Sequence, residues 1–278
     1  AKTINGHGIY GKGYNYTTIS NFSIKMTRST ATSRRGIFFE SSNTHNLSNN
    51  ILNINGSSIN DALNYGIYLK NTKYHLIINN IIRTANKKGY GIYLLAETNE
   101  NSNNNKMEDN TITTIADDSN GIYIRGLNGG TVTDSTILSN TISTSVTSYG
   151  VHVIKITGSS SSTDRTIINK SLISTAAGYG ILMEDSSSNF VQDSNITTQS
   201  NHEVNIISGD NNIFLNVTYR NESVTGAGQL IRKWYYRAFT NNESGSVVAN
   251  ANITAYNVSN NYQFNLTTDA TGYTLMTE

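Results

Sequence analysis

The sequence predicts an all-β solenoid, in which short strands wind into successive coils, followed by a small β-sandwich. A phrase of the type Gly-Ile-Tyr recurs at intervals of 25 to 30 residues along most of the 278-residue chain. Two further columns of apolar residues keep the same interval, and the segments between them alternate between apolar and polar residues. A fixed interval of this length is typical of repeat proteins in which each coil stacks on the one before it.

The three columns can be read directly from the chain. The first follows each repeated glycine, at Ile9, Ile37, Ile67, Ile92, Ile122, Val151 and Ile181. The second is Ile19, Leu47, Ile77, Met107, Ile137, Ile167 and Val191. The third lies five residues after the second, at Ile24, Leu52, Ile82, Ile112, Ile142, Leu172 and Ile196. We expect the first column to form a stacked core, because side chains alternate between the two faces of a strand.

The repeats are rich in Ile, Thr and Tyr and are interrupted by Asn, Ser and Gly, which favours strands and turns over helices. The phrase Gly-Ile-Tyr-Leu at 66–69, then Asn-x-Ile, then Gly-Ile-Tyr at 91–93, resembles the right-handed parallel β-helix repeats of pectate-lyase-like proteins. It is most similar to repeat-rich surface proteins of archaea and bacteria. The resemblance covers residues 1 to about 225 and implies seven to eight rungs. It does not select a function, since this fold hosts enzymes, tail spikes and scaffolds.

One column points outward from the predicted coils, beside the core column. Its members are Tyr10, Phe38, Tyr68, Tyr93, Tyr123, His152 and Leu182. The five aromatic residues, Tyr10 to Tyr123, predict an exposed ladder of about 20 Å. The rings could stack and shield the sheet, could be covered by a neighbouring subunit, or could bind glycans.

A column of asparagines recurs at steps of 30, at Asn50, Asn80, Asn110 and Asn140. Asn tolerates the left-handed conformation of tight bends, and stacked Asn side chains can hydrogen-bond from rung to rung. We therefore interpret this column as an internal or corner ladder.

Residues 226–278 depart from the repeat and predict a second domain after the boundary sequence Thr-Gly-Ala-Gly at 225–228. A strand around Trp234 and two further strands joined by a turn at 259–261 resemble part of an immunoglobulin-like or carboxypeptidase-regulatory-like β-sandwich. Such modules have about seven strands, whereas this stretch accounts for about four. Either the module continues beyond this chain, or strands of another molecule complete it. We expect the missing strands to leave a strand-acceptor groove beside Trp234, Tyr236 and Phe264.

The composition excludes several classes of function. The net charge is +1, only 14% of residues are charged, and the basic residues are scattered, so no nucleic-acid-binding surface is indicated. No apolar run is long enough to span a membrane. The chain has no Cys, which rules out disulfides and thiolate metal sites, and we expect neither a cofactor nor a metal.

Twelve Asn-x-Ser/Thr sequons occur, about the number that this composition gives by chance. These possible N-glycosylation sites are Asn15, Asn21, Asn46, Asn55, Asn169, Asn195, Asn216, Asn221, Asn242, Asn252, Asn257 and Asn265. Some would be modified if an N-glycosylating organism exports the protein.

The candidate catalytic residues are few. Asp134 and Asp164 are 30 residues apart, which predicts one column and the short separation of a retaining carboxylate pair. Thr-Asp sequences ahead of strands are more simply explained as Asx-turns. His7 lies in a Gly-His-Gly triplet like that of polygalacturonases, but the other motifs of that family are missing, so we attribute the match to chance. His45 and His75 share a column with Asn105 and Ser135, which predicts a solvated corner.

Three functions remain open. The leading hypothesis is a non-catalytic structural subunit of an extracellular or cell-surface assembly, such as a filament, sheath or surface layer. The second is an adhesin or glycan-binding scaffold, and the third is a polysaccharide lyase or hydrolase that uses Asp134 and Asp164. The preferred partner is another copy of the chain, bound head to tail. We base this on the short N-terminal lead into the first rung and on the unfinished sandwich.

Overall fold

The computed structural model describes residues 6–27, 33–55, 63–85, 87–145, 148–155, 162–199 and 202–278. Every regular element in these ranges is a strand. Strands of successive coils pair in parallel and form three long sheets, so the all-β class and the parallel β-solenoid are confirmed.

The strands of the first sheet are β1 (Gly6–Lys12), β4 (Ser33–Glu40), β7 (Leu63–Lys70), β10 (Ile92–Glu97), β14 (Ile122–Leu127), β18 (Val151–Lys155), β22 (Ile181–Glu184), β25 (Val204–Ile207) and β27 (Glu222–Thr225). Those of the second are β2 (Thr18–Ser20), β5 (Asn46–Ser48), β8 (Leu76–Ile78), β12 (Lys106–Glu108), β16 (Thr136–Leu138), β20 (Ile167–Asn169), β23 (Phe190–Gln192), β26 (Asn212–Leu215) and β28 (Leu230–Lys233). Those of the third are β3 (Ser23–Thr27), β6 (Ile51–Asn55), β9 (Ile81–Ala85), β13 (Thr111–Thr114), β17 (Thr141–Thr144), β21 (Leu172–Thr175) and β24 (Asn195–Thr198).

A short sheet of three strands accompanies the middle coils and comprises β11 (Asn101–Asn103), β15 (Thr131–Thr133) and β19 (Ser162–Asp164). The antiparallel pair β29 (Asn252–Tyr256) and β30 (Tyr262–Thr267) follows the solenoid. Its turn begins at Asn257, whose side chain accepts the backbone N–H of Asn261 at 2.9 Å. The predicted pair of C-terminal strands is therefore confirmed.

The first core column stacks in register from Ile9 to Ile181, and its members from Ile37 onward are fully buried. The other two columns are confirmed except at one coil. There Ile168 and Ile173 occupy the core, whereas the predicted Ile167 and Leu172 pair with Thr136 and Thr141 and are exposed. This coil is one residue longer than the predicted interval, and a slip of one residue moves a strand's side chains to its other face.

The repeated glycine is explained by close packing at the start of each first-sheet strand. A Cβ on Gly91 would lie 2.3 Å from Ile112 Cγ2 and 2.5 Å from the carbonyl oxygen of Gly121. The same two kinds of contact recur at Gly66 and Gly150. The Gly-Ile-Tyr phrase thus combines a backbone that touches the opposite wall of the coil, a core side chain and an outward ring.

The asparagine column forms a buried ladder. Asn80 Nδ2 donates to Asn110 Oδ1 at 3.0 Å, Asn110 repeats the contact with Asn140, and each amide also donates to a backbone carbonyl. The residue just before each ladder position, such as Asn79 or Asp109, carries the left-handed φ. The bend and the ladder are therefore neighbouring positions, and the ladder satisfies buried polar groups inside the corner.

The predicted solvated corner at His45 and His75 is wrong, because both side chains are buried. The His45 ring stacks on Phe39 with centroids 4.0 Å apart and meets the His75 ring edge-on at 4.8 Å. Burial and the nearby His45 lower the pKa of His75 to about 3, so this ring is neutral at physiological pH. The column continues as an interior polar ladder, since His75 N–H donates to Asn105 Oδ1.

The Thr-Gly-Ala-Gly segment is a turn inside the solenoid, and the boundary predicted at 225/226 differs from the one observed. Gly226 has φ +64° and Gly228 N–H donates to Thr225 O at 3.1 Å, after which β28 joins the second sheet. The chain divides into a unit that ends at Ile231 and a unit that spans Arg232–Glu278. In the described ranges the first and second sheets each have nine strands and the third has seven.

The C-terminal unit lacks a buried apolar core. Within residues 232–278, only Thr268, Gly272 and Thr274 are buried. Ile253 faces Leu266 and Ala255 faces Phe264 across the β29–β30 pair, and all four remain half-buried. The opposite face of the pair carries the polar residues between them. One apolar face of this unit is therefore left only partly covered.

Glu203, directly before β25, is a carboxylate whose side chain is inaccessible to solvent. Glu203 Oε1 accepts Arg220 Nε–H at 2.8 Å and Glu203 Oε2 accepts the backbone N–H of Asn221 at 3.0 Å. Burial alone would raise the pKa of Glu203, but these hydrogen bonds outweigh it and hold the pKa below its usual value. Glu203 thereby ties the segment at Arg220 and Asn221 to the coil before it.

We expect Glu203→Gln to lower the free energy of unfolding at pH 7 by about 2 kcal/mol, the scale of a lost charged hydrogen bond. The pKa is lower in the folded state, so the ionised group stabilises the protein above the unfolded pKa of about 4.3 and progressively less as pH falls through the folded pKa. Urea unfolding at pH 7 and at about pH 3 measures the difference between variant and wild type, which should shrink at the lower pH. The exposed Glu100→Gln is the control. Equal stability of Glu203→Gln and wild type at pH 7 would contradict this role.

Candidate functional site

The predicted aromatic column forms a continuous stack on the outer face of the first sheet. Successive ring centroids lie 5.1 Å apart for Tyr10–Phe38, 4.8 Å for Phe38–Tyr68, 5.0 Å for Tyr68–Tyr93, 5.0 Å for Tyr93–Tyr123 and 4.8 Å for Tyr123–His152. The ring planes of Phe38, Tyr68, Tyr93 and Tyr123 are within 13° of parallel from one to the next. The parallel register of the strands therefore places one ring per coil at stacking distance.

The prediction that this ladder is exposed is wrong for all of its members except Tyr10. Phe38, Tyr68, Tyr93 and Tyr123 are at most 8% exposed, whereas Tyr10 on the first described coil is 50% exposed. A second aromatic column covers them. Tyr65 contacts the rings of Tyr68 and Tyr93, both at 5.2 Å. The rings thus stack and shield the sheet, which is the first of the alternatives raised from the sequence.

Cationic side chains complete the cover of the ladder. The Arg35 guanidinium lies 4.5 Å from the Phe38 ring centre and 4.9 Å from that of Tyr68, a cation–π arrangement. Arg125 hydrogen-bonds to Tyr93. Burial raises the pKa of Tyr68 and of Tyr93 well above the ordinary tyrosine value, so both hydroxyls stay protonated across the physiological range.

The ladder meets a polar cluster at His152, which sequence reasoning placed only as one more outward residue. His152 Nε2 lies 2.6 Å from Glu184 Oε2, and His152 Nδ1 lies 3.3 Å from Asn120 Nδ2. Asn120 Oδ1 accepts the backbone N–H of Tyr149, so its amide nitrogen faces the ring and fixes the tautomer with the proton on Nε2. Burial lowers the pKa of His152, although the carboxylate of Glu184 acts in the opposite direction. The ring is therefore neutral.

Asn120 and Glu184 were not predicted from the sequence as site residues, although the sequence contains a signal for Asn120. It occupies the position before the repeated glycine, where neighbouring coils have Tyr65, Tyr90 and Tyr149. The break in that tyrosine series marks the polar cluster.

The predicted catalytic pair does not share a column. Asp164 pairs with Thr133 and not with Asp134, which is one position further along. Asp134 forms a two-point ion pair with Arg165, at 2.7 and 2.8 Å, and this pair lowers the pKa of Asp134. Asp164 Oδ1 accepts the backbone N–H of Ser187. Each carboxylate is therefore engaged in a local structural contact.

His7, from the Gly-His-Gly triplet, adds a ring to the start of the ladder, 5.4 Å from Tyr10 and 5.3 Å from Phe38. Burial and the charge of Arg35 lower the pKa of His7, so its contact with the ladder is that of a neutral ring.

The predicted strand-acceptor residues are only partly brought together. Tyr236 and Phe264 pack with ring centroids 5.6 Å apart, while Trp234 is 62% exposed near Arg232. A groove of about 430 Å³ does occur in the C-terminal unit, but other residues line it. These are Arg237, Thr267, Thr268, Asp269, Tyr273, Thr274, Leu275 and Met276.

The twelve sequon asparagines all lie in the described ranges, and ten of them are exposed. Asn46 and Asn169 are half-buried within second-sheet strands. No cluster of three or more metal-binding side chains occurs among the described residues. A search of the same residues for a helix long and apolar enough to cross a membrane finds none.

A family comparison agrees with the architecture. The sequence profile of a family described as a right handed beta helix region matches residues 50–218. Among solved structures, the chain is similar to the surface protein and adhesin PfbA of Streptococcus pneumoniae, with 11% identity and a TM-score of 0.32 over 73% of this chain and 64% of that chain. It is also similar to the A-module of the mannuronan C-5 epimerase AlgE4 of Azotobacter vinelandii, with 10% identity and a TM-score of 0.27 over 79% and 76% of the two chains. The chain thus spans slightly less than two thirds of the PfbA structure. Among curated proteins, none matches this chain in sequence.

Proposed function

Since the chain belongs to the right-handed β-helix family, we propose that it is a non-catalytic structural subunit of an extracellular or cell-surface assembly. The observation that carries the proposal is the C-terminal unit, in which no apolar side chain is buried. Trp234, Leu275 and Met276 are each more than half exposed. An antiparallel sheet with an uncovered apolar face gains stability when a further strand or sheet covers it.

A second copy of the chain is the occupant that we propose for this face. Among the described residues, the first-coil strands β1, β2 and β3 are the outermost strands of the three long sheets, and each pairs with one neighbouring strand. The same coil exposes Tyr10, Tyr14, Tyr16 and Phe22. An edge with unpaired backbone groups and exposed rings is suited to adding strands. Two different surfaces that bind each other form a heterologous contact, and such contacts build filaments.

The exported location belongs to the same proposal. If the protein is exported by an N-glycosylating organism, the ten exposed sequon asparagines could accept glycans without disturbing the coils.

The assembly can be tested with the full chain. We expect filaments by negative-stain microscopy and a concentration-dependent rise in sedimentation coefficient. Trp234→Ser combined with Leu275→Ser should abolish both, because it removes two exposed apolar side chains from the C-terminal unit. Tyr74→Ser, at an equally exposed ring on a middle coil, is the matched control and should assemble normally. A wild-type chain that stays monodisperse at every concentration would contradict the proposal.

The same preparations also test the enzyme alternative. Asp134→Asn combined with Asp164→Asn should leave the filaments unchanged. If wild type releases reducing or unsaturated sugars from acidic polysaccharides and this double variant does not, a lyase or hydrolase replaces the structural proposal.

A further inference from the structure

A gap interrupts the outer tyrosine column of the solenoid. The residues before the repeated glycine on five successive coils are Tyr65, Tyr90, Asn120, Tyr149 and Tyr179, linked from coil to coil by backbone hydrogen bonds of 2.9 to 3.1 Å. At the middle coil the short Asn120 side chain stands where its neighbours have a ring. A cavity of about 230 Å³ lies at this place, and Tyr90 and Tyr149 both line it.

The two tyrosines present ring faces on opposite sides of the gap. Tyr90 stacks on Tyr65 with planes 9° apart, and Tyr149 stacks on Tyr179 with planes 21° apart. Each ring therefore has one face against its outer neighbour, and the position of Asn120 lies on the other side. Tyr90 also meets the Tyr123 ring edge-on at 4.9 Å, and Tyr149 meets the His152 ring edge-on at 5.1 Å. Two coil spacings separate Tyr90 and Tyr149, which is about 9.6 Å.

The floor of the gap is polar and fixed in place. Asn120 and His152 are buried, and Asn120 is held at both ends, by His152 Nδ1 and by the backbone N–H of Tyr149. His152 is in turn held by Glu184. This chain of contacts prevents Asn120 from turning aside, so the gap is built into the fold.

The rim of the cavity carries one positively and one negatively charged side chain. Lys88 and Asp118 line the cavity from the turns that precede their coils, and Asp118 Oδ2 also lies 3.8 Å from Lys87 Nζ. An ammonium group donates hydrogen bonds and a carboxylate accepts them, so the rim can satisfy a ligand whose groups do both.

We propose that this gap binds one hexopyranose ring, sandwiched between Tyr90 and Tyr149. A flat aromatic ring in contact with two faces spans about 7 to 8 Å, since carbon atoms meet at 3.5 to 4.0 Å. The gap is wider than this, and a puckered sugar ring with C–H groups on both faces is correspondingly thicker. Sugar hydroxyls both donate and accept, which matches Lys88, Asp118 and Asn120. The cavity is smaller than sites for drug-sized ligands and suits a single sugar unit.

Binding can be measured on the full chain by saturation-transfer NMR with a panel of methyl hexopyranosides at millimolar concentration. We expect saturation transfer to the ring C–H protons of at least one of these sugars. Asn120→Tyr, which fills the gap with the residue of the neighbouring coils, should abolish the signal while preserving the strand spectrum by circular dichroism. Tyr149→Ala removes one wall and should weaken binding at least tenfold.

Tyr179→Ala is the matched control, because it removes a ring from the same column outside the gap, and it should bind as wild type does. Absence of transfer to every sugar, or an unchanged signal in Asn120→Tyr, would overturn the proposal. So would binding of a flat ring, tested with p-cresol and uridine, in the absence of sugar binding. None of these variants alters the C-terminal unit, so filament formation by the same samples reports separately on the structural proposal.

Discussion

Ile92→Asp is expected to unfold the solenoid or to lower its free energy of unfolding by more than about 4 kcal/mol. Ile92 is fully buried, and its strand neighbours in the same column are Ile67 and Ile122. A carboxylate there would have neither water nor a hydrogen-bond donor, and the cost of burying an unpaired charge exceeds the stability margin of most domains. Loss of the strand signal by circular dichroism, together with rapid proteolysis, is the measurement.

Ile81→Asp provides the matched control for this change. Ile81 is the same residue type in a third-sheet strand, but it is 53% exposed. It should unfold within about 0.5 kcal/mol of wild type, as surface substitutions usually do. If Ile92→Asp retained the wild-type unfolding midpoint, the first column could not be the core.

The core of the solenoid could be predicted from the sequence because each coil repeats the same three contacts. The prediction was wrong at Ile167 and Leu172, where an apolar residue also follows in the chain. The pairs Ile167–Ile168 and Leu172–Ile173 each offer two side chains that could fill the core. Only the register of the neighbouring strands selects the second member.

The burial of the aromatic ladder could not be read from its own column. Alternation along a strand correctly placed Tyr68 and Tyr93 on the outer face. Whether an outer residue is exposed depends on which side chain covers it, here those of the residues before the repeated glycine, Tyr65, Tyr90 and Arg35. The covering tyrosines repeat with the same interval, so the information was present, but as a separate column whose side chains fold back over the first.

The polar cluster at His152 was harder to predict, because it depends on a residue that breaks a pattern. Asn120 follows Asp117, Asp118 and Ser119 of a turn, so its neighbours in the chain suggest a solvent-exposed position, and only the break in the tyrosine series distinguishes it. Glu184, the other partner of His152, lies two coils away from Asn120 along the first sheet. Only stacking of the coils brings the two side chains to the same imidazole.

Substitution of the repeated glycine is the second change that we expect to lower the stability strongly. The backbone of Gly91 is not in the left-handed region, so glycine is needed there because a Cβ atom has no room. An added methyl group would overlap a core side chain, Ile112, and the backbone carbonyl of Gly121 on the next coil. A side chain can change its rotamer, but the carbonyl is fixed by the strand pairing of β10 with β14. The coils would therefore have to move apart.

We expect Gly91→Ala to lower the free energy of unfolding by about 3 kcal/mol, at the upper end of the cost of overpacking. Urea unfolding followed by circular dichroism measures it. Gly6→Ala is the matched control, because a Cβ there meets only the flexible end of Met26 at 3.3 Å, and it should be nearly neutral. Equal stability of the two variants would contradict the steric argument. If Gly91→Ala lowers the free energy of unfolding and Gly6→Ala does not, the close approach of the walls of the coil explains why glycine begins each Gly-Ile-Tyr phrase.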